Sequence, residues 1–390
     1  MSTTTENSLN ETRFSSWSHL ETFSRFGTQD SSIRSFFNGT DVSKRMNDIR
    51  KAITWIRHHW EDYEIFMGEL KRSFLGTTSA ADDKGKEGMD FRWAMVESKG
   101  PRQWADRTKD GTIDEGFGFL KLYTSQQGYD RIFSVLNGAF RSDSLVGEEI
   151  RLRAAVFLVE LLTIELFNYT YQPNSKGNLG YTGVLYRGMA LSEENLGSFR
   201  RLMIRPVEER YWSVPLSFMS CTVERRKAIE FAEPSAKSDS TLHRVLLRVH
   251  VVGLSEGRLA LYSARFPSSV VTPICAVDIS NLSDFPEERE VVLRGPFFQL
   301  VGISQESTEK GKHLFVLDVL VFNTNRDHPS TMEMSDEEGD RARALFACLI
   351  EGERAERCLE IAPNIGRAED EEAYRRILER SRMRSAEIIG

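Results

Sequence analysis

The chain has 390 residues, of which 40% are hydrophobic and 28% are charged, and its formal net charge is -7. This composition supports one large core with smaller helical additions. The longest apolar run, residues 154–162, is interrupted by Glu160 and is too short for a membrane-spanning helix. The negative charge argues against a chain-wide surface for nucleic acid or anionic membranes. We expect no nucleic-acid partner and no transmembrane segment.

The amino terminus and the metal-binding residue types exclude further classes. Residues 1–12 are polar and lack the basic and apolar parts of a classical secretory signal. The four cysteines include no CxxC pair, and the one close pair of histidines, His58 and His59, is adjacent and would diverge on a helix. We predict no metal site, and either a cytoplasmic protein or an effector exported without a classical signal peptide.

The front half of the chain has helical periodicity. Residues 1–40 are rich in Ser, Thr, Asn and Gly and predict a flexible arm. Residues 41–110 predict a helical region, because apolar side chains from Met46 to Leu70 recur at steps of three and four. A polar loop is predicted over 77–116, followed by helices over 129–140 and 148–169. The last of these is apolar nearly all round, which indicates a buried helix.

After Gly180 the residue pattern changes to short runs of β-branched residues separated by turn-forming residues, and this pattern predicts a sheet. The predicted strands are Val184–Tyr186, Val245–Val252, Val270–Val277, Glu290–Leu293 and Leu314–Val321. From residue 330 the pattern returns to helix, and Ser335 with Glu338 forms a candidate capping box. Helical ends around a strand-rich part predict the α+β class.

An acidic turn, Phe285 to Arg289, leads directly into the strand that begins at Glu290. On an extended chain, Glu288 and Glu290 would point to one face, roughly 6.6 Å apart. One carboxylate could stabilise positive charge on a sugar ring whose glycosidic bond breaks, and the other could orient or deprotonate a nucleophile. An exposed acidic turn is the alternative that this motif alone leaves open.

Two further motifs contain residue types that bind phosphates or sugars. Arg187 follows a short apolar run and precedes Gly188, so its guanidinium could grip a pyrophosphate while the glycine lets the backbone approach a ligand. Ser220 and Thr222 alternate along a predicted strand, where their hydroxyls could bind a ribose or hold a carboxylate. Each motif alone also fits a solvated strand end.

Taken together and in this order, the Arg187, Ser220 and Glu288-x-Glu290 motifs resemble the Arg-Ser-Glu signature of the cholera-toxin-like mono-ADP-ribosyltransferases. The segments Leu120–Ser125 and Leu136–Arg141 are similar to the helical part that precedes the arginine strand in this family, and the helix around Phe231 also matches. The resemblance covers about residues 117–322. It implies a fold of two small, mainly antiparallel sheets that form an NAD cleft with helices around it.

The resemblance also implies roles for individual residues. Arg187 and Gly188 would bind NAD, which is consumed as co-substrate, and Ser220 and Thr222 would support NAD and the catalytic carboxylate. Glu290 would stabilise the oxocarbenium ion as nicotinamide leaves. Glu288 would hold the acceptor, and glutamate at its position goes with arginine acceptors. Phe285 would present the target, a protein with an accessible arginine.

We interpret residues 111–329 as the catalytic domain and residues 330–390 as a helical carboxy-terminal region. The polar segment Glu233–Ser240 is interpreted as a loop that closes over the NAD. Two alternatives remain open. One is an NAD glycohydrolase, with water as the acceptor. The other is an inactive scaffold that binds a partner through its helical arms.

Overall fold

The three-dimensional structure is a computed structural model. It describes residues 62–75, 118–128, 132, 136, 149–170, 180–213, 218–238, 241–269, 271, 275–307, 311, 313–323 and 334–390. The predicted arm 1–40, the start of the helix predicted from Met46, the loop 77–116 and most of the helix predicted over 129–140 lie outside the described residues.

Eight helices of more than three residues are formed within the described ranges. They are α1 (Tyr63–Leu75), α2 (Gly118–Tyr123), α3 (Glu149–Thr170), α4 (Glu193–Met203), α5 (Arg225–Ser238), α6 (Glu256–Arg265), α7 (Asp336–Asn364) and α8 (Glu371–Ile389). Helix α3 is buried along most of its length, as its all-round apolar pattern predicts. Among these helices, none combines the length and apolar character needed to cross a bilayer.

Eight strands form the sheet. They are β1 (Gly183–Leu191), β2 (Tyr211–Ser213), β3 (Phe218–Thr222), β4 (His243–Val252), β5 (Ala276–Asp278), β6 (Glu290–Arg294), β7 (Phe297–Ser307) and β8 (His313–Phe322). Their order is β2-β7-β8-β4-β1-β3-β6-β5, and every pair is antiparallel except β4 with β8. The α+β class is confirmed.

The sheet differs in one respect from the two separate sheets that we expected. All eight strands are joined, but β1 and β3 meet at a single residue pair, Tyr186 with Thr222. Five strands therefore lie on one side of this joint and three on the other. Beyond Tyr186 the edge of β1 is not paired with any described strand, and the sheet opens there.

Two opposite sets of helices cover the sheet. On the first face, the alternate residues Val245, Leu247 and Val249 of β4 pack with helices α1 to α4 in the largest core cluster. On the second face, Leu246 packs under Ala228 of α5. Because side chains alternate along a strand, each face receives every second residue.

The remainder of the second face is covered by α7 and α8, which we call the C-terminal hairpin. Val301 and Leu320 of the sheet pack against Ile361 and Tyr374 of the hairpin. Helix α7 begins as predicted, with the Ser335 hydroxyl accepting a hydrogen bond of 3.3 Å from the Glu338 amide. The C-terminal hairpin therefore packs directly on the sheet. The domain boundary at 329/330 stays a prediction.

One expectation about a loop is wrong in the structure. Residues 233–238 continue helix α5, which begins at Arg225 and ends at Ser238, so this part of the segment Glu233–Ser240 is not a loop. Residues 239 and 240 lie outside the described residues. A surface helix is as polar as a loop on its solvent side, so composition alone did not separate the two.

Candidate active site

A cavity of about 460 Å³ lies where β1 and β3 separate. All seven residues predicted for the site contribute to its wall. They are Arg187, Gly188, Ser220, Thr222, Phe285, Glu288 and Glu290. Three stretches of chain that are distant in sequence are therefore brought together around one space.

Arg187 is fixed across the joint between β1 and β3. Its Nη1 donates a hydrogen bond of 2.5 Å to the backbone carbonyl of Ser220, which lies two residues before the paired Thr222. The guanidinium is partly buried and borders the cavity. A planar fork of donors in this position suits an anionic ligand such as a pyrophosphate.

Glu288 and Glu290 share the cavity wall, although not through the strand alternation that we expected. Glu288 ends a 3₁₀ turn, Pro286–Glu288, and Glu290 begins β6. Arg289 between them is left-handed, with φ of 48°, the one non-glycine residue with positive φ in the described part of the chain. This conformation costs free energy for a residue with a Cβ atom. A bend therefore turns both carboxylates to the cavity.

Thr222 supports this bend. Its hydroxyl donates a hydrogen bond of 2.5 Å to the carbonyl of Glu288 and accepts one of 2.9 Å from the Glu224 amide. The Arg289 guanidinium lies 3.3 Å from the Glu224 carboxylate on the outer side. Thr222 thus holds the backbone of the acidic turn, a contact that the sequence pattern did not indicate.

Burial raises the pKa of Glu290 to about 6. A hydrogen bond with the Ser220 side chain lowers this pKa, the charge of Glu288 raises it, and Ser283 and Arg187 lower it. The Glu290 carboxylate is therefore ionised at neutral pH and lies between a hydroxyl and a cation. Burial also raises the pKa of Glu288, against the opposing effect of Lys227.

Gly188 is required by packing, in addition to any role toward a ligand. A Cβ atom at this position would lie 1.7 Å from the carbonyl oxygen of Ala228 in α5. We expected that the missing side chain would admit a ligand, but the space is filled by the backbone of α5. Gly188 borders the cavity, and the backbone of α5 packs directly against Gly188.

The structure adds residues that the motifs did not assign to the site. Tyr123, Thr124 and Gln126 form a further part of the wall, and the Tyr123 hydroxyl donates a hydrogen bond of 3.0 Å to the Phe218 carbonyl. Phe231 of α5 also borders the cavity and is 47% exposed. A large apolar side chain on the outer face of a polar helix was the signal available for Phe231.

No protein-family model matches the chain, and no curated protein matches it. Solved structures do match. The Vis toxin, an ADP-ribosyltransferase from Vibrio splendidus, has 13% identity and a TM-score of 0.35, over 64% of this chain and 90% of that one.

Two further solved structures are similar. The ADP-ribosyltransferase HopU1 of Pseudomonas syringae pv. Tomato has 15% identity and a TM-score of 0.35, over 65% of this chain and 96% of that one. The enzymatic component C2-I of the Clostridium botulinum C2 toxin has 16% identity and a TM-score of 0.29, over 61% of this chain and 46% of that one. The Vis toxin and HopU1 are both described as ADP-ribosyltransferases, the activity of the family that the motifs resemble.

Proposed function

We propose that the protein transfers a single ADP-ribose from NAD to arginine side chains of a target protein and releases nicotinamide. The observation that carries this proposal is that Glu288 and Glu290 share one cavity with Arg187 and Ser220. A reaction that develops positive charge on a sugar ring needs a fixed carboxylate beside that ring, and its acceptor needs a second polar group.

The residues present suit NAD as a substrate. Arg187 supplies a cation for the pyrophosphate, and the backbone of β1 at Gly188 and Met189 borders the cavity beyond the point where β1 pairs with β3. Phe231 offers an exposed aromatic ring. A volume of about 460 Å³ falls within the range typical of small-molecule sites.

The proposed reaction breaks the bond between the ribose carbon and the nicotinamide nitrogen. The bonding electron pair leaves with nicotinamide, and the positive charge that develops on the ribose is stabilised by the ionised Glu290. A guanidinium nitrogen of the acceptor then bonds to the same carbon, and its proton passes to Glu288. The raised pKa of Glu288 suits it to accept a proton.

Ser220 and Thr222 act as positioning residues in this scheme. The Ser220 side chain hydrogen-bonds Glu290 and its carbonyl holds Arg187, so one residue links the cation to the catalytic carboxylate. Thr222 holds the turn that carries Glu288. Phe285, at the cavity edge, is proposed to contact the target protein.

The test is nicotinamide release measured with and without agmatine, a small guanidine acceptor. An arginine transferase should release nicotinamide faster when agmatine is present and should form one ADP-ribosyl-agmatine for most nicotinamides released. Release that is unaffected by agmatine and yields only free ADP-ribose would contradict the arginine acceptor and favour hydrolysis.

A further inference from the structure

A second cavity, of about 120 Å³, lies near the opposite end of the sheet, between strands β2 and β7 and the C-terminal hairpin. Its wall shares no residue with the cavity around Glu290. Strands β8 and β4 lie between β7 and β1, so two strands of the sheet separate the two spaces.

Arg354 of α7 is a buried cation in the wall of this second cavity, with 6% of its surface exposed. Its guanidinium lies 4.5 Å from the centre of the Tyr211 ring and donates a hydrogen bond of 3.3 Å to the side-chain oxygen of Gln299. Within the described part of the chain, no carboxylate forms an ion pair with it.

The nearby Arg210 is also buried, but its guanidinium is paired with a carboxylate. Its guanidinium donates two hydrogen bonds to Asp370, of 2.6 and 3.0 Å, and a third to the carbonyl of Arg205. Buried charges in proteins are usually paired in this way, because an isolated charge loses its hydration without compensation. Arg354 has two aromatic rings, Tyr211 and Phe297, and the amide of Gln299 where Arg210 has a carboxylate.

Tyr374 contributes a buried aromatic ring to the same wall. The residue is 0% exposed, so its hydroxyl does not reach the cavity, and the hydroxyl lies instead beside the buried Cys358. Arg354 is therefore the buried charged group that borders this small space.

The charges and the volume narrow the class of ligand. Glu208, Glu351 and Arg380 also line the cavity, and Arg380 and Glu208 are exposed. Two carboxylates in the wall would repel a phosphate dianion and attract an ammonium group. Since one water needs about 10–15 Å³ of such space, 120 Å³ holds a molecule of roughly ten heavy atoms.

We infer that this cavity binds a free amino acid, whose carboxylate is held by Arg354 and whose ammonium group faces Glu208 and Glu351. The site is separate from the proposed NAD cavity, and the inference does not depend on the proposed reaction.

The experiment is isothermal titration calorimetry of the full chain with the common amino acids one at a time, and with acetate and inorganic phosphate as comparison probes. We expect at least one amino acid to bind saturably, and acetate and phosphate to bind at least about tenfold more weakly. Absence of binding by every amino acid, or tighter binding of phosphate or acetate, would overturn the inference.

Variants locate the binding. Arg354→Met should weaken it by about tenfold or more, because it removes the charge that holds the carboxylate. Glu351→Gln should weaken it several-fold while the ligand-free protein keeps its melting temperature, because the change removes a carboxylate that faces the ammonium group from a partly exposed position. Glu351→Gln thus tests the site even if Arg354→Met does not fold.

Arg258 of α6, which pairs with helix α7 of the hairpin, provides a matched control. It pairs with Glu353 and Glu356 of α7, at 2.6 and 2.8 Å, and does not line the cavity. Arg258→Gln should lower the melting temperature and leave amino-acid affinity within about twofold of the unchanged chain. Unchanged affinity in both cavity variants, or an equal loss in the Arg258 control, would contradict the assignment.

Discussion

The burial of Glu290 sets the pH at which the proposed chemistry can proceed. Its carboxylate must be ionised to stabilise a cation on the ribose, and its pKa is about 6. We expect nicotinamide release to fall as pH is lowered through about 6, which a pH profile under NAD saturation measures.

The same pKa shift predicts a stability effect. The folded pKa of Glu290 lies above its ordinary value of 4.5, so the folded protein holds this proton more tightly than the unfolded chain does. The destabilisation therefore appears as pH rises through 4.5 to about 6 and is complete above that range. Glu290→Gln should abolish activity yet stabilise the fold on the order of 1–2 kcal/mol near neutral pH.

Urea unfolding at about pH 4 and about pH 8 measures that change. The increase in the free energy of unfolding caused by Glu290→Gln should be present at about pH 8 and nearly absent at about pH 4. The exposed neighbour Glu287 is the control, and Glu287→Gln should change stability little at either pH. A Glu290→Gln variant that is less stable at the higher pH would contradict the predicted burial cost.

Glu288 carries the narrower claim that arginine is the acceptor. We expect Glu288→Gln to reduce transfer to agmatine by about 10²- to 10⁴-fold, the range for loss of a general base, while part of the nicotinamide release remains. Parallel assays of both products measure the split. If both fell equally, the role assigned to Glu288 would be wrong.

The motifs identified residues that share a cavity, but they did not indicate how Glu288 and Glu290 reach it. The alternation rule assumes an extended backbone, and the left-handed Arg289 breaks that assumption. The contact between Thr222 and the Glu288 carbonyl depends on chain segments 66 residues apart, which no local pattern shows. The roles assigned to the site residues stay predictions.

At the scale of elements, the contact of α5 with β1 fixes one wall of the proposed NAD cavity. Gly188→Ala places a Cβ atom against the backbone of α5, which cannot yield as a flexible side chain would. We expect a loss of about 1–3 kcal/mol in the free energy of unfolding, with weaker NAD binding, as for other overpacked sites.

Gly197 in helix α4 is the matched control for that prediction. The nearest atom to a Cβ there is a side-chain nitrogen of Arg201, at 3.5 Å. Gly197→Ala should be neutral or should stabilise by about 0.5–1 kcal/mol, because alanine favours helix interiors. Chemical unfolding of both variants decides the matter. Equal stability of the two would argue against the close contact at Gly188.

A buried ion pair between Asp370 and Arg210 connects the turn of the C-terminal hairpin with the residue before strand β2. Burial raises the pKa of Asp370, but hydrogen bonding and the charge of Arg210 outweigh it and hold this pKa below the ordinary value of 3.8. The stabilisation is present above pH 3.8 and is lost as pH falls toward the lower folded pKa. Asp370→Asn should cost about 3–5 kcal/mol near neutral pH by leaving Arg210 unpaired.

Thermal unfolding of Asp370→Asn and of Arg382→Gln provides the comparison. Arg382 forms an ion pair with Glu356 in which 67% of the arginine side chain is exposed. Loss of this exposed ion pair in Arg382→Gln should therefore change the melting temperature little. Similar melting temperatures for the two variants would contradict the importance of the Arg210 pair.

Local periodicity predicted α3, α7 and the strands at β4, β6 and β8, because each has a strong pattern of its own. Strands β2 and β7 were missed. Strand β2 has three residues, and β7 contains Gly302 and a register shift after Leu300 that interrupts the alternation. Strand β5, Ala276–Asp278, overlaps the end of the predicted run Val270–Val277, of which residues 270 and 272–274 lie outside the described residues.

At the scale of the whole molecule, the sheet separates two sets of helices, and the two cavities lie at different strands of it. Sequence predicted helical ends around a sheet, but not that the hairpin covers the second face. That arrangement depends on contacts such as Leu320 with Ile361, which are remote in the chain. The single-pair joint between β1 and β3 opens the larger cavity, and it too arises from long-range pairing.

The central claim is that one cavity joins an NAD-binding cation to two carboxylates that transfer ADP-ribose to arginine. The most direct measurement is transfer of label from adenine-labelled NAD to agmatine by the full chain and by Glu290→Ala, with products identified by mass spectrometry. We predict a labelled agmatine adduct with the unchanged chain and none with Glu290→Ala. Undiminished adduct in that variant, or no adduct from a folded protein that binds NAD, would contradict the account.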